Sequence, residues 1–257
     1  MGRLRLTLAY LGTHFAGWQK QKNARTVQGE LEAALTRLYR QPVVTVGAGR
    51  TDAGVHAAAQ VAHLDAPLPI PATGVTAAVN AFLPRDVRVL RVEDAPPSFH
   101  ARRSAVGKRY RYRLAWGPLL PPWEGERRLW LPHPPDPGRL AEAVGLLAGE
   151  HDFARFSLAG HGGHGKRGTV RTIYVATVRF RSTRADVILE GDGFLRGMVR
   201  RLVGAALEVA WGRQEIRWLS SLLAGEGVKP PAPTAPAGGL TLEWVFYRRP
   251  RRWCRVS

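Results

Sequence analysis

One carboxylate in this chain, that of Asp52, lies in a glycine-rich loop that is suited to chemistry. Three of the eight residues 47–54 are glycines, which permit backbone bends that larger residues resist. Arg50 is two positions away and no acidic residue is near in sequence, which favours the charged form of Asp52. An ionised carboxylate that holds no metal suits a nucleophile or a general base. Because Asp and Gly are also ordinary turn residues, the loop alone leaves a structural role open.

The segments on both sides of this loop are predicted to be strands. Residues 43–46 form an apolar, β-branched run, and residues 60–64 form a second strand-like run. Alternate side chains of an extended chain point to the same side. We therefore expect Arg50 and Asp52 to face one cleft if the chain between the two strands is extended.

The rest of the chain alternates between strand-like and helix-like patterns. Thr26 is a typical N-cap residue, and the helix that follows it is expected to stop before Pro42. Residues 117–138 are predicted to form a long ordered loop that shields Trp123 and Trp130. The other predicted strands cover residues 4–10, 87–92, 108–113 and a last run ending at 247, a hairpin covers 170–181 and 186–190, and the other helices cover 73–79, 139–147, a stretch opening at 193, and 214–223.

Charge is the outlying property of the composition. The 257 residues include 38 Lys and Arg against 20 Asp and Glu, a net charge of +18. Such a balance favours a polyanionic partner, most simply nucleic acid, over a protein that is merely basic. The lone cysteine, Cys254, allows no intrachain disulfide, and no segment is long and apolar enough to span a membrane. We expect a soluble cytoplasmic protein.

Three basic segments have both a functional and a structural interpretation. Residues 108–113 alternate arginine and tyrosine, which is typical of a half-buried strand and also suits base stacking. His100 lies in a basic loop, where a structural hydrogen bond is commoner than proton transfer. The glycine-rich loop 161–168 carries two histidines, but with no cysteine near we reject a zinc site there. That loop either contacts RNA or is simply solvated, and the basic tail 248–255 either contacts RNA or is frayed.

The run at residues 49–56, GRTDAGVH, resembles the signature of TruA-type tRNA pseudouridine synthases. In that family the aspartate is the essential catalytic residue, which implies the same role for Asp52. The further matches follow the family's order and lie at residues 10–21, 99–112, 149–153, 194–204 and 236–242.

The resemblance also implies roles for other residues. The family's base-contacting tyrosine falls on Tyr110, the arginine that pairs with the catalytic aspartate falls on Arg200, and the leucine that packs beside the target base falls on Leu240. Arg50 either orients the loop or binds phosphate. The family's reaction converts uridine to its isomer pseudouridine, with no redox or group-transfer step. We therefore expect no cofactor, and we also expect no metal.

The patterns indicate an α+β protein with mostly antiparallel sheets, divided into residues 1–104 and 105–257. The resemblance implies that the two α/β domains join their sheets across a central catalytic cleft. It further implies a homodimer that holds each tRNA across both subunits.

The function expected from these observations is isomerisation of uridine to pseudouridine in the anticodon stem-loop of tRNA, at tRNA positions 38, 39 and 40 by family analogy. Attack of Asp52 on C1′, attack on C6 and abstraction of a sugar proton all stay open. Two other classes of protein also remain: a non-catalytic RNA-binding protein, and a hydrolase acting on an RNA glycoside or phosphate. A hydrolase is disfavoured because metal-dependent cleavage and retaining glycoside chemistry both need a second carboxylate, which the loop lacks.

Overall fold

The computed structural model describes residues 2–158, 168–226 and 231–255. The expected loop at 161–168 therefore lies outside the described residues, except for Gly168. The labelled strands and helices are, in chain order, β1 (Arg3–Tyr10), α1 (Val27–Tyr39), β2 (Val46–Gly47), β3 (His56–Asp65), α2 (Ala72–Phe82), β4 (Val87–Ala95), β5 (Gly107–Trp116), α3 (Pro122–Gly125), β6 (Leu129–Leu131), α4 (Pro137–Gly145), β7 (Gly149–Asp152), β8 (Val170–Arg181), β9 (Arg184–Gly191), α5 (Met198–Ala210), α6 (Ile216–Leu223) and β10 (Leu240–Phe246).

Helix α1 begins and ends where the sequence predicts. The Thr26 side chain accepts a hydrogen bond from the amide of Gly29 at 3.2 Å, which caps the first turn. Arg40 adopts a left-handed conformation at φ 55° and ends the helix. Leu31 and Leu35 on the apolar side of this helix are fully buried.

The chain folds into two compact units, and the first comprises Met1–Val106 and Thr241–Arg248. Strand β1 pairs antiparallel with both β3 and β4, and β2 pairs antiparallel with β3. Strand β10 pairs parallel with the start of β3, where Thr241 faces His56. Helix α2 packs on β4 and on α1. This sheet positions the Asp52 loop, because that loop leads directly into β3.

The second unit comprises Gly107–Leu240 and Arg249–Ser257. Strands β5, β9, β8 and β7 pair antiparallel in that order, and the short β6 pairs parallel with β5. Helix α4 packs on β8 and on α5. The core of the second unit includes the buried side chains of Leu114, Leu140, Phe153 and Leu202.

The mixed α/β fold with largely antiparallel sheets is confirmed, while several local predictions are wrong. Residues 43–46 do not form a strand up to the loop, because the Thr45 amide bonds the Glu32 carboxylate at 2.9 Å and only β2 joins the sheet. The proline-rich segment contains α3 and β6, and Trp123 is 73% exposed rather than shielded. Helix α5 begins at Met198, five residues after the predicted start, because Gly197 precedes it in a left-handed conformation.

The predicted division of the chain into two domains, residues 1–104 and 105–257, stays a prediction. Among the residues that the structure describes, no helix is both long enough and apolar enough to cross a bilayer.

Candidate active site

The loop that carries Asp52 is fastened to the loop that follows β1. The amide of Trp18 donates to the carbonyl oxygen of Thr51 at 3.1 Å, and the amide of Gly54 donates to that of Phe15 at 3.3 Å. The two loops therefore hold each other through their backbones, one bond on each side of Asp52.

Two glycines of the loop that follows β1 allow this close approach. A Cβ at Gly12 would overlap the carbonyl oxygen of Val55, and one at Gly17 would lie 2.6 Å from that of Thr51. Gly17 also has φ +98°, a conformation that other residues rarely adopt. The Gly12 amide in turn donates to Nδ1 of the buried His56 at 2.9 Å.

A buried polar chain holds the Asp52 loop from the side of the sheet. The Tyr10 hydroxyl and the Thr51 hydroxyl lie 2.8 Å apart in a hydrogen bond. Gln60, also buried, donates from Nε2 to the carbonyl oxygen of Gly49 at 3.0 Å. Burial raises the pKa of Tyr10 to about 12, against the opposing effect of its hydrogen bonds to Thr51 and Gln60. The backbone is thus fixed at both neighbours of Arg50.

The exposure of the two candidate residues in this loop differs. Asp52 is half-buried and Arg50 is exposed, and neither lies in a strand. A carboxylate on a rigid loop that still reaches solvent can act on a bound substrate as nucleophile or base. The expectation that both side chains face one cleft stays a prediction.

Tyr110 lies on strand β5 in the second unit. Its side chain is 8% exposed, and its ring meets that of Phe194 edge to face, with centroids 5.1 Å apart. Tyr112, two residues along the same strand, is completely buried. The strand therefore has its tyrosines in the core, whereas Arg109 and Arg111 are half-buried and form ion pairs with Glu190 and Asp186.

Arg200 is bound to the segment that leads into β10. Its Nε donates to the carbonyl oxygen of Ala235 at 2.7 Å, and the amide of Ala235 donates back to the Arg200 carbonyl at 3.1 Å. The Tyr112 hydroxyl donates to the carbonyl of the following residue, Pro236, at 2.6 Å. Burial raises the pKa of Tyr112, and the charge of Arg200 opposes that shift. Leu240, at the end of this segment, is buried.

Several residues that shape these sites have no role that the sequence indicates. Tyr10 and Thr51 both stand in the motifs already quoted, but nothing in their spacing indicates that their hydroxyls meet. The strand-like run 60–64 indicates no partner for Gln60, and the alternation in 108–113 does not indicate that the Tyr112 hydroxyl bonds Pro236. A glutamine inside the strand-like run that directly follows the Asp52 loop is the sequence signal that points to Gln60.

In the part of the chain that the structure describes, no three His, Cys, Asp or Glu side chains form a group that could hold a metal ion. His161 and His164 lie outside the described residues.

Comparison with known proteins assigns the chain to a family. A family model described as tRNA pseudouridine synthase matches residues 7–102 and 143–248, well over half of the chain. The chain belongs to the tRNA pseudouridine synthase family. In this pseudouridine synthase family member, Asp52 lies in the first matched range, and Arg200 and Leu240 lie in the second. Tyr110 lies between the two ranges.

Relatives extend this likeness over nearly the whole chain. A protein named tRNA pseudouridine synthase A 1 from Desulfotalea psychrophila is 40% identical, with 96% of this chain and all of the relative covered. Proteins named tRNA pseudouridine synthase A from Lacticaseibacillus casei and Frankia casuarinae are 44% and 45% identical, covering 96% and 95% of this chain and 100% and 89% of theirs.

Proposed function

We propose that this protein converts uridine to pseudouridine in the anticodon arm of tRNA, at tRNA positions 38, 39 and 40. The observation that carries the proposal is the match to the tRNA pseudouridine synthase family along almost the full chain, with the GRTDAGVH loop intact. The net charge of +18 suits a tRNA substrate.

The reaction needs one group that can act on the sugar or the base. The bond between N1 and C1′ breaks, the uracil rotates, and a bond between C5 and C1′ forms. C5 loses a proton and N1 gains one, so the product is an isomer and no redox partner is required. A base stacked in folded RNA must first leave its stack, at a cost of a few kcal/mol.

Asp52 is the residue to which we assign the catalytic role. Its loop is fixed by the hydrogen bonds of Trp18, Gly54 and Thr51, so the backbone that carries the carboxylate is held in place. Such preorganisation lowers the barrier because little ordering remains for the reaction step. Attack on C1′, attack on C6 and abstraction of a sugar proton are all compatible with this placement.

The other predicted residues are assigned supporting roles within the same proposal. Tyr110 stacks on the uracil, Arg200 pairs with Asp52, Leu240 packs beside the base, and Arg50 contacts phosphate or orients the loop. A homodimer is also part of the proposal, and light scattering of the purified protein tests it.

Tritium release tests the reaction. tRNA transcribed with [5-³H]uridine is incubated with the purified protein, without added metal or cofactor, and carbodiimide primer-extension stops map the product. Release of tritium together with stops in the anticodon arm is expected. Tight tRNA binding without release would favour a non-catalytic RNA-binding protein, and stops outside the anticodon arm would overturn the target assignment.

A further inference from the structure

A basic loop in the first unit, residues 97–104, is held by side chains although much of it faces solvent. Arg3 donates from Nη1 to the carbonyl oxygens of Pro97 at 2.6 Å and Phe99 at 2.8 Å. The Tyr247 hydroxyl donates to the carbonyl oxygen of the buried Ala101 at 2.8 Å. Residues from both ends of the first unit therefore fix the backbone of this loop.

Two histidines fix further backbone amides of the loop. Nδ1 of the buried His63 accepts from the amide of Ala101 at 3.2 Å. Nδ1 of His100 accepts from the amides of both Arg102 and Arg103, each at 3.2 Å. Burial lowers the pKa of both imidazoles, with help from neighbouring charges that include Arg3 for His63 and Arg103 for His100. The lowered pKa favours the neutral ring, whose Nδ1 can accept these bonds.

The hydrogen bonds to His63 and His100 hold a turn that carries two adjacent arginines. Arg102 and Arg103 are exposed, and neither forms an ion pair with any residue in the ranges 2–158, 168–226 and 231–255. Some other surface arginines are paired, such as Arg213 with Glu208 and Arg217 with Glu215. The paired cations are already partly neutralised, whereas those of the turn are available to an anion.

We propose that Arg102 and Arg103, held by the His100 turn, form a preorganised site for the phosphates of an RNA backbone. A guanidinium binds a phosphate through two parallel hydrogen bonds, and a fixed backbone reduces the ordering needed when RNA binds. Phosphate contacts of this kind set the position of an RNA without reading its sequence. The proposal rests on the proposed function only in taking tRNA as the RNA.

Binding measurements with paired variants test this site. The affinity for unmodified tRNA transcript is measured at several salt concentrations for the wild type, for R102A/R103A and for R213A/R217A. Both variants lose two positive charges, but the second removes arginines that already have carboxylate partners. We expect R102A/R103A to bind roughly tenfold more weakly at low salt, with a salt slope shallower by about 1.4 to 1.8. The R213A/R217A variant is expected to stay within about twofold of the wild type.

A third variant tests the preorganisation separately. His100→Ala keeps both arginines and the net charge but removes the acceptor of their amides, so we expect several-fold weaker binding and an unchanged melting temperature. Unchanged affinity and slope in R102A/R103A, or equal losses in both double variants, would overturn the phosphate site. Wild-type affinity in His100→Ala would overturn the role of the turn. Since no turnover is needed in these assays, a failure of the proposed reaction stays distinguishable from a failure of the site.

Discussion

The indole nitrogen of Trp253 donates a hydrogen bond to the carboxylate of Glu190, which is 1% exposed. The same carboxylate accepts from Arg252 at 3.0 Å and from Arg109, its cross-strand neighbour on β5, at 2.7 Å. The Trp253 ring is stacked on Tyr174 with centroids 4.5 Å apart. Arg252 and Trp253 of the basic tail are therefore docked on the second unit, beside the start of the strand that carries Tyr110.

Glu190 makes the stability of the second unit depend on pH. Burial raises the pKa of this carboxyl, but hydrogen bonds from Arg252, Trp253 and Arg109 outweigh it, so the pKa lies below its ordinary value of 4.5. A carboxylate with a lowered native pKa stabilises the fold above pH 4.5, and this contribution is lost as the pH falls through the native pKa.

The substitution Glu190→Gln tests this contribution. We expect the substitution to lower the free energy of unfolding at pH 7 by about 3 kcal/mol, because charged donors are left around a neutral amide. The difference from the wild type should shrink as the pH falls below 4.5, as urea unfolding at a series of pH values will show. Asp65 and Asp86, whose pKa values are lowered by Arg3 and Arg25, contribute equally in both proteins. A difference that is constant with pH would contradict the role of the charge.

Two tryptophans of the second unit form a matched pair for a test of packing. Trp253 is 4% exposed and Trp123 is 73% exposed. Trp253→Ala is expected to cost about 3 kcal/mol, since it removes a buried ring and a hydrogen bond to Glu190. Trp123→Ala should change the free energy of unfolding by less than about 0.5 kcal/mol. Thermal unfolding of both variants checks this, and similar melting temperatures would mean that the tail is not docked in solution.

Removal of the Asp52 charge should separate chemistry from binding. Asp52→Asn keeps the size of the side chain, so we expect tritium release to fall to background while tRNA affinity stays within a few-fold of the wild type. A filter-binding assay beside the release assay measures both. Substantial release by this variant would remove Asp52 from the catalytic role.

The Tyr10 hydroxyl should matter for turnover more than for folding. Tyr10→Phe frees Thr51 from its bond, so the Asp52 loop is less well placed, and we expect kcat to fall by about tenfold with KM nearly unchanged. Tyr39 is the control, because its buried hydroxyl has no hydrogen-bond partner among the described residues. Tyr39→Phe is expected to leave kcat and the melting temperature unchanged. Equal effects of the two substitutions on kcat would show that the bond to Thr51 does not position the loop.

The parts of the fold that the sequence predicts well are those with a local physical signal. Helix α1 has a capping threonine and a regular apolar stripe, and β1 alternates cleanly between buried and half-buried positions. Residues 43–46 have strand-like composition, but their partner is the side chain of Glu32, which no local pattern reveals. The prediction that Trp123 is shielded follows from the general burial of tryptophan, and that rule says nothing about a particular proline-rich turn.

The candidate site also contains some residues that the sequence indicates and some contacts that it does not. Asp52 is marked by its loop and by the family motif, whereas the hydroxyl contact between Tyr10 and Thr51 joins residues 41 positions apart. The two hydrogen bonds between Arg200 and Ala235 also depend on distant chain segments meeting. Composition and periodicity describe local structure, so interactions of this range become visible only once the fold is known.

The parallel pairing of β10 with the start of β3 has a consequence for biosynthesis. Thr241–Arg248 belongs to the first unit, yet it leaves the ribosome roughly ten seconds after Val106, at about 5–20 residues per second. Until then the beginning of β3, directly after the Asp52 loop, lacks its neighbour and leaves backbone amides and carbonyls open to pairing with other chains. A nascent or truncated polypeptide that ends before residue 240 would therefore be a natural client for chaperones, and premature termination late in the message would yield an aggregation-prone product.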